Sequence, residues 1–169
     1  MPQRNRLAIA MAVLLGVSAG CTKKDSPPAA QAIPLDQVVP STAGPTQPQV
    51  VLEKTFSLKT SATFPFEIPS HAARPHLHGI FQSFVGKAGG VSDDAANIEF
   101  VILNEDQQTN VTNDRPSEAL FSVESSHNQA VNFDLPPSMN QPVKYYLAFH
   151  NAQGSNSSKV VEANFRVDF

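Results

Sequence analysis

From residue 50 onward, apolar side chains recur at every second position, and that period of two restricts this part of the chain to β-strands. The last segment is the clearest. Val161, Ala163, Phe165, Val167 and Phe169 alternate with Glu162, Asn164, Arg166 and Asp168. Val143, Tyr145, Leu147 and Phe149 alternate in the same way with Lys144, Tyr146, Ala148 and His150. Val131, Phe133 and Leu135 form a third set, and Ala119, Phe121 and Val123 a fourth. Ile98, Phe100 and Ile102 form a fifth, in which Val101 and Leu103 make both faces apolar, so this strand reads as central. Earlier strands are predicted around residues 50–59, 62–68 and 76–85, with Pro65 and Pro69 pointing to an edge or an interrupted strand. The stretches 86–96, 104–117, 125–128, 136–142 and 151–157 are turn-rich, and no window of twelve or more residues keeps a helical stripe. The expected fold is all-β: an antiparallel β-sandwich of seven or eight strands spanning residues 50–169, about 120 residues and one core.

The N-terminus has a different chemistry. Arg4 and Arg6 precede an apolar run from Leu7 to Ala19, which ends on Ser18-Ala19-Gly20-Cys21. Thirteen residues are too few to span a bilayer, which takes roughly 20. A basic start, a short apolar stretch and small residues ahead of a cysteine describe an export signal. The segment resembles a bacterial lipoprotein signal, with Ser18 standing where Leu is usual. The resemblance implies that residues 1–20 are removed and that Cys21, the single cysteine of the chain, is acylated. Each buried methylene contributes about 0.8 kcal/mol, so two or three acyl chains would hold the protein on a membrane. Thr22 occupies the place of the usual Asp retention signal, which favours the outer over the inner membrane of a bacterial envelope, although Lys23 and Lys24 follow it.

Residues 22–49 hold six of the 14 prolines and no aromatic residue. Such a segment buries too little apolar area to offset its chain entropy, so residues 21–49 are expected to be a disordered tether behind the lipidated cysteine. In extended polyproline geometry residues 22–49 would reach roughly 85 Å.

Loss of Arg4 and Arg6 lowers Lys plus Arg from 12 to 10 against 15 Asp plus Glu, a formal charge of −5. A mildly acidic chain without a basic cluster is not built for nucleic acid. With its one cysteine acylated, the domain has no internal disulfide and must be held by packing.

The run Leu77-His78-Gly79-Ile80-Phe81-Gln82-Ser83-Phe84, followed by Asn97-Ile98-Glu99-Phe100-Val101-Ile102-Leu103, resembles the first half of a GOLD-like β-sandwich. Val131-Asn132-Phe133-Asp134-Leu135-Pro136, Tyr145-Tyr146-Leu147-Ala148-Phe149-His150-Asn151 and Ser158-Lys159-Val160-Val161 resemble the second half. The resemblance covers residues 75–168 and implies an extracytoplasmic binding or assembly module. The chain lacks the cysteine pair and coiled-coil extension of the cargo receptors that carry such domains, and fold likeness by itself assigns no function.

Residues able to carry chemistry are scattered. His76 and His78 lie two apart, so a strand puts both imidazoles on one face, and His71 in the preceding loop is a conceivable third metal ligand. The competing reading is three outward-facing polar residues. If successive strands run antiparallel, loops 86–96, 125–128 and 151–157 share one end of the sandwich. Lys87, Asp93, Asp94, His127, His150 and Asn151 then form a candidate binding surface, with His76 and His78 far from it. The pairs Asp93–Asp94 and Glu105–Asp106 lack the alternating carboxylates of a calcium loop and fall at opposite ends of one strand. No Gly-x-Ser-x-Gly elbow is present, and Gly86-Lys87-Ala88-Gly89-Gly90 lacks the ending of a phosphate loop. The chain has no Trp, and of its two tyrosines only Tyr146 is expected to face outward, which leaves little for stacking on sugars. The expectation is a non-enzymatic envelope lipoprotein without cofactor, held to the membrane through Cys21 and binding a protein or envelope component. The alternative is a periplasmic metal- or small-ligand-binding domain built on His76 and His78.

Overall fold

A computed structural model describes residues 43–152 and 157–169. The signal segment, Cys21 and the tether up to residue 42 lie outside the described residues, as do positions 153–156 of one loop.

Eight strands form: β1 Gln49–Leu58, β2 Ser61–Ile68, β3 His76–Val85, β4 Ile98–Asn104, β5 Phe121–Ser126, β6 Asn128–Asp134, β7 Val143–His150 and β8 Lys159–Asp168. They make two four-stranded sheets, ordered β1-β8-β3-β6 and β2-β7-β4-β5, in which every pairing is antiparallel. Only β4 and β5 are joined as neighbours in one sheet; every other connection passes between sheets. The expected antiparallel sandwich is therefore the fold. Strand direction still alternates along the chain, so the loops divide between two ends as the assumed antiparallel order requires.

One departure concerns the stretch 104–117. It holds a helix, α1, Glu105–Thr112. Asn104 caps it: its side chain accepts from the Gln107 N–H at 2.8 Å while Gln107 Oε1 accepts from the Asn104 N–H at 2.9 Å. Eight residues with Val111 as the one large apolar side chain leave no stripe for periodicity to reveal, and none of them is buried. A second short helical turn, Asp94–Ala96, is capped by Asp93, whose carboxylate accepts from the Ala95 N–H at 2.9 Å.

The core lies where the inner faces meet. β3 and β8, the middle strands of the first sheet, contribute Phe81 and Phe165; β4 and β7, the middle strands of the second, contribute Phe100 and Phe149. All four rings are fully buried. Phe100 touches the others at centroid distances of 5.4 Å to Phe81, 5.0 Å to Phe149 and 5.3 Å to Phe165. Tyr145 is buried beside Phe66 and Tyr146 faces out under Lys144, as their alternation predicts. Gly79 of β3 pairs with Phe165, and a Cβ there would fall 2.3 Å from the Asn164 carbonyl oxygen and 2.6 Å from the Phe165 ring. The glycine is what lets β3 and β8 approach with that ring lying over them.

Replacing Phe100 by Ala removes a ring from the centre of both sheets and is expected to cost about 3–5 kcal/mol in urea unfolding. Gly79→Ala forces β3 away from β8 and is expected to cost about 1–3 kcal/mol. Wild-type stability in both variants would contradict this account of the core.

Candidate functional site

The outer faces of the two sheets differ. That of β1-β8-β3-β6 is open and carries Glu53, Thr55, Gln82, Glu162 and Asn164 around Ile80. On the other sheet α1 lies across β4 and β7. Leu103 points to that outer face, yet it is 2 % exposed because the helix covers it. The apolar second face of β4 is thus explained by a helical lid as well as by the strand's central place. Beside α1 the cover stops short, leaving a groove of about 500 Å³. Val101, Leu103 and Ala148 make its floor; Gln108, Val111 and Thr112 of α1 make one wall; Glu99 and His150 stand at the rim, with His150 Nδ1 2.9 Å from Glu99 Oε2. Its volume falls in the range of small-molecule sites.

The histidines separate into pairs with carboxylates. His76 and His78 do share the outer face of β3, their rings stacked at 6.1 Å. Each turns to its own aspartate: His76 Nδ1 lies 2.6 Å from Asp134 Oδ1, and His78 Nε2 lies 3.2 Å from Asp168 Oδ2 without hydrogen-bond alignment. His71 sits in the β2–β3 loop with φ 62° and its N–H donates to the Met139 carbonyl at 2.7 Å. Among the described residues no group of three or more His, Cys, Asp or Glu is placed to hold a metal ion.

Of the loops predicted to share one end, two touch each other through His127. The His127 carbonyl accepts from the Ser83 N–H at 2.8 Å, and His127 Nδ1 lies 2.9 Å from Asn97 Oδ1. Asn97 Nδ2 in turn donates to Asp94 at 3.4 Å. Asn151 closes the same end by donating its backbone N–H to the Thr60 carbonyl at 2.7 Å and its side chain to the Lys59 carbonyl at 3.0 Å. Lys87 lies at the tip of the 86–90 hairpin, between Gly86 and Gly89 in the left-handed region that glycine favours. His150 is set back from these loops and belongs to the groove. Asp93 and Asp94 cap and brace the short helical turn, while Glu105 and Asp106 lie in the first turn of α1, at the other end of β4.

Two features escape sequence reasoning. One is the groove, because α1 carries no helical stripe; the pattern Asn104-x-x-Gln107 after an apolar-faced strand is the signal that could have found it. The other is Lys159, which lies on the inner face of β8 and is fully buried. Its ammonium donates to the Asn97 carbonyl, and no ion pair to it forms among the described residues. Desolvation by burial lowers its pKa from the usual 10.5.

No family model matches the chain. No curated protein matches it either. Among solved structures it is similar to TmCBM61 in complex with beta-1,4-galactotriose, at 9 % identity over 67 % of each chain with a TM-score of 0.40. A likeness of that size carries no functional argument.

Among the described residues no helix is long and apolar enough to cross a membrane. Lys159→Met tests the buried cation. A depressed folded-state pKa penalises folding below that pKa, and the penalty disappears above the unfolded value of 10.5. The variant is therefore expected to be more stable at neutral pH by about 1–2 kcal/mol, with its advantage shrinking as pH rises toward 10.5. A variant less stable at neutral pH would show that the Asn97 contact outweighs the desolvation.

Proposed function

We propose that this chain is a non-catalytic binding module, held on the outer membrane of a bacterial envelope by acyl chains on Cys21. The observation that carries this reading is the end of the sandwich at which the chain arrives. Gly44 packs so closely on the β2–β3 loop that a Cβ would lie 2.2 Å from the His71 carbonyl oxygen. Gln49 then opens β1 with its side-chain amide donating to the Glu67 carbonyl at 3.3 Å. The loops 69–75 and 135–142 meet at that same end, where Ala72 accepts from the Ser138 N–H at 3.0 Å. A tether from Cys21 would join the domain at this end. Lys87, Asp93, Asp94, His127 and Asn151, at the other end, would then face away from it and meet a protein or envelope component. The GOLD-like strand pattern fits the same role.

Two measurements test the reading. Cys21→Ala is expected to abolish incorporation of labelled palmitate and to move the protein out of the outer-membrane fraction; unchanged labelling would end the lipoprotein assignment. A photo-crosslinker placed at Lys87 in intact cells is expected to capture a discrete partner, and one at the exposed Met139 is not. The reverse pattern would overturn the assignment of the membrane-distal end as the binding surface.

A further inference from the structure

We infer that the groove between α1 and the outer face of β2-β7-β4-β5 binds a small ligand made of an aliphatic body and an ammonium head. The inference concerns a face of the sandwich other than the membrane-distal loops and does not depend on the anchor. Three observations carry it.

The floor is aliphatic. Val101, Leu103 and Ala148 lie together because they occupy outward positions of neighbouring strands, with Val101 paired to Ala148. Val111, on the helical wall, keeps 49 % of its surface exposed above that floor. An aliphatic body seated there would bury apolar area on both sides.

One polar group on the helical wall, Gln108 Oε1, is an acceptor without a donor. Gln108 Nε2 donates to Thr112 Oγ1 at 3.2 Å, and the Thr112 hydroxyl is itself committed as donor to the Gln108 carbonyl at 2.8 Å. Thr112 can therefore only accept from the amide, which fixes Nε2 toward it and Oε1 away. That Oε1 is buried and meets no donor. A buried acceptor without a donor is unfavourable, and a ligand N–H for which the Gln108 side chain turned would satisfy it.

The charge is one-sided. Among the described residues only His150 donates to the Glu99 carboxylate. Glu99 and Val101 also line an adjoining open depression of about 540 Å³, whose far side holds Glu124 of β5. No Lys or Arg lines either hollow. A carboxylate at the rim, a second beyond it and no Lys or Arg favour a ligand ammonium, which would share Glu99 with His150, over a carboxylate or phosphate.

The probe is n-hexylamine, with hexanoate as the matched anion. Methyl shifts of Val101, Leu103 and Val111 are followed by NMR in the full-length chain. Hexylamine is expected to shift these methyls saturably and hexanoate to leave them in place. Glu99→Gln should weaken hexylamine about tenfold, the loss of one charge-assisted hydrogen bond. Ala148→Phe should abolish the response by filling the floor, with an otherwise unchanged amide spectrum showing that the fold is intact. If that variant fails to fold, Glu99→Gln decides alone. No saturable shift with hexylamine, an equal response to hexanoate, or unchanged affinity in Glu99→Gln would each overturn the inference.

Discussion

The packing of Phe100 against Phe81, Phe149 and Phe165 is the contact on which the rest of the structure depends. Each ring comes from a middle strand of one of the two sheets, so a single cluster ties β3 and β8 to β4 and β7. With the only cysteine outside the folded strands, no covalent link supplements this contact. Almost every connection crosses between the sheets, so the cluster also sets the separation that each loop must bridge. Gly79 is part of the same arrangement, since its missing side chain is the space into which Phe165 fits.

From that core outward, the two sheets part company. The first leaves a polar outer face open, and the second carries α1, held by a reciprocal cap between Asn104 and Gln107 rather than by buried side chains of its own. The helix lies on the sheet because Leu103 needs cover; it leaves a groove because eight residues are too short to reach across Val101 and Ala148. Local capping chemistry thus decides where a concave surface appears on an otherwise regular sandwich.

The alternation legible in the sequence located all eight strands to within a few residues, because a strand between a core and solvent must repeat every two positions. It also placed His76 with His78 on one face and sent Tyr145 inward and Tyr146 outward. It missed α1, whose one large apolar side chain is Val111, and it gave Lys159 no inward place. Lys159 shows why: Lys, Val161 and Ala163 share the inner face by parity, but only the folded end of the sandwich reveals that the Asn97 carbonyl waits for the ammonium.

The sequence by itself determined the all-β class and the places of the strands and turns, since period and turn composition are local properties. Tertiary structure alone decided which strands are neighbours, that each imidazole on β3 faces its own aspartate, and that Glu99, Gln108 and Ala148 border one groove. Those three come from β4, α1 and β7, and no spacing along the chain encodes a meeting that is set by where two sheets and a helix come to rest against a shared core.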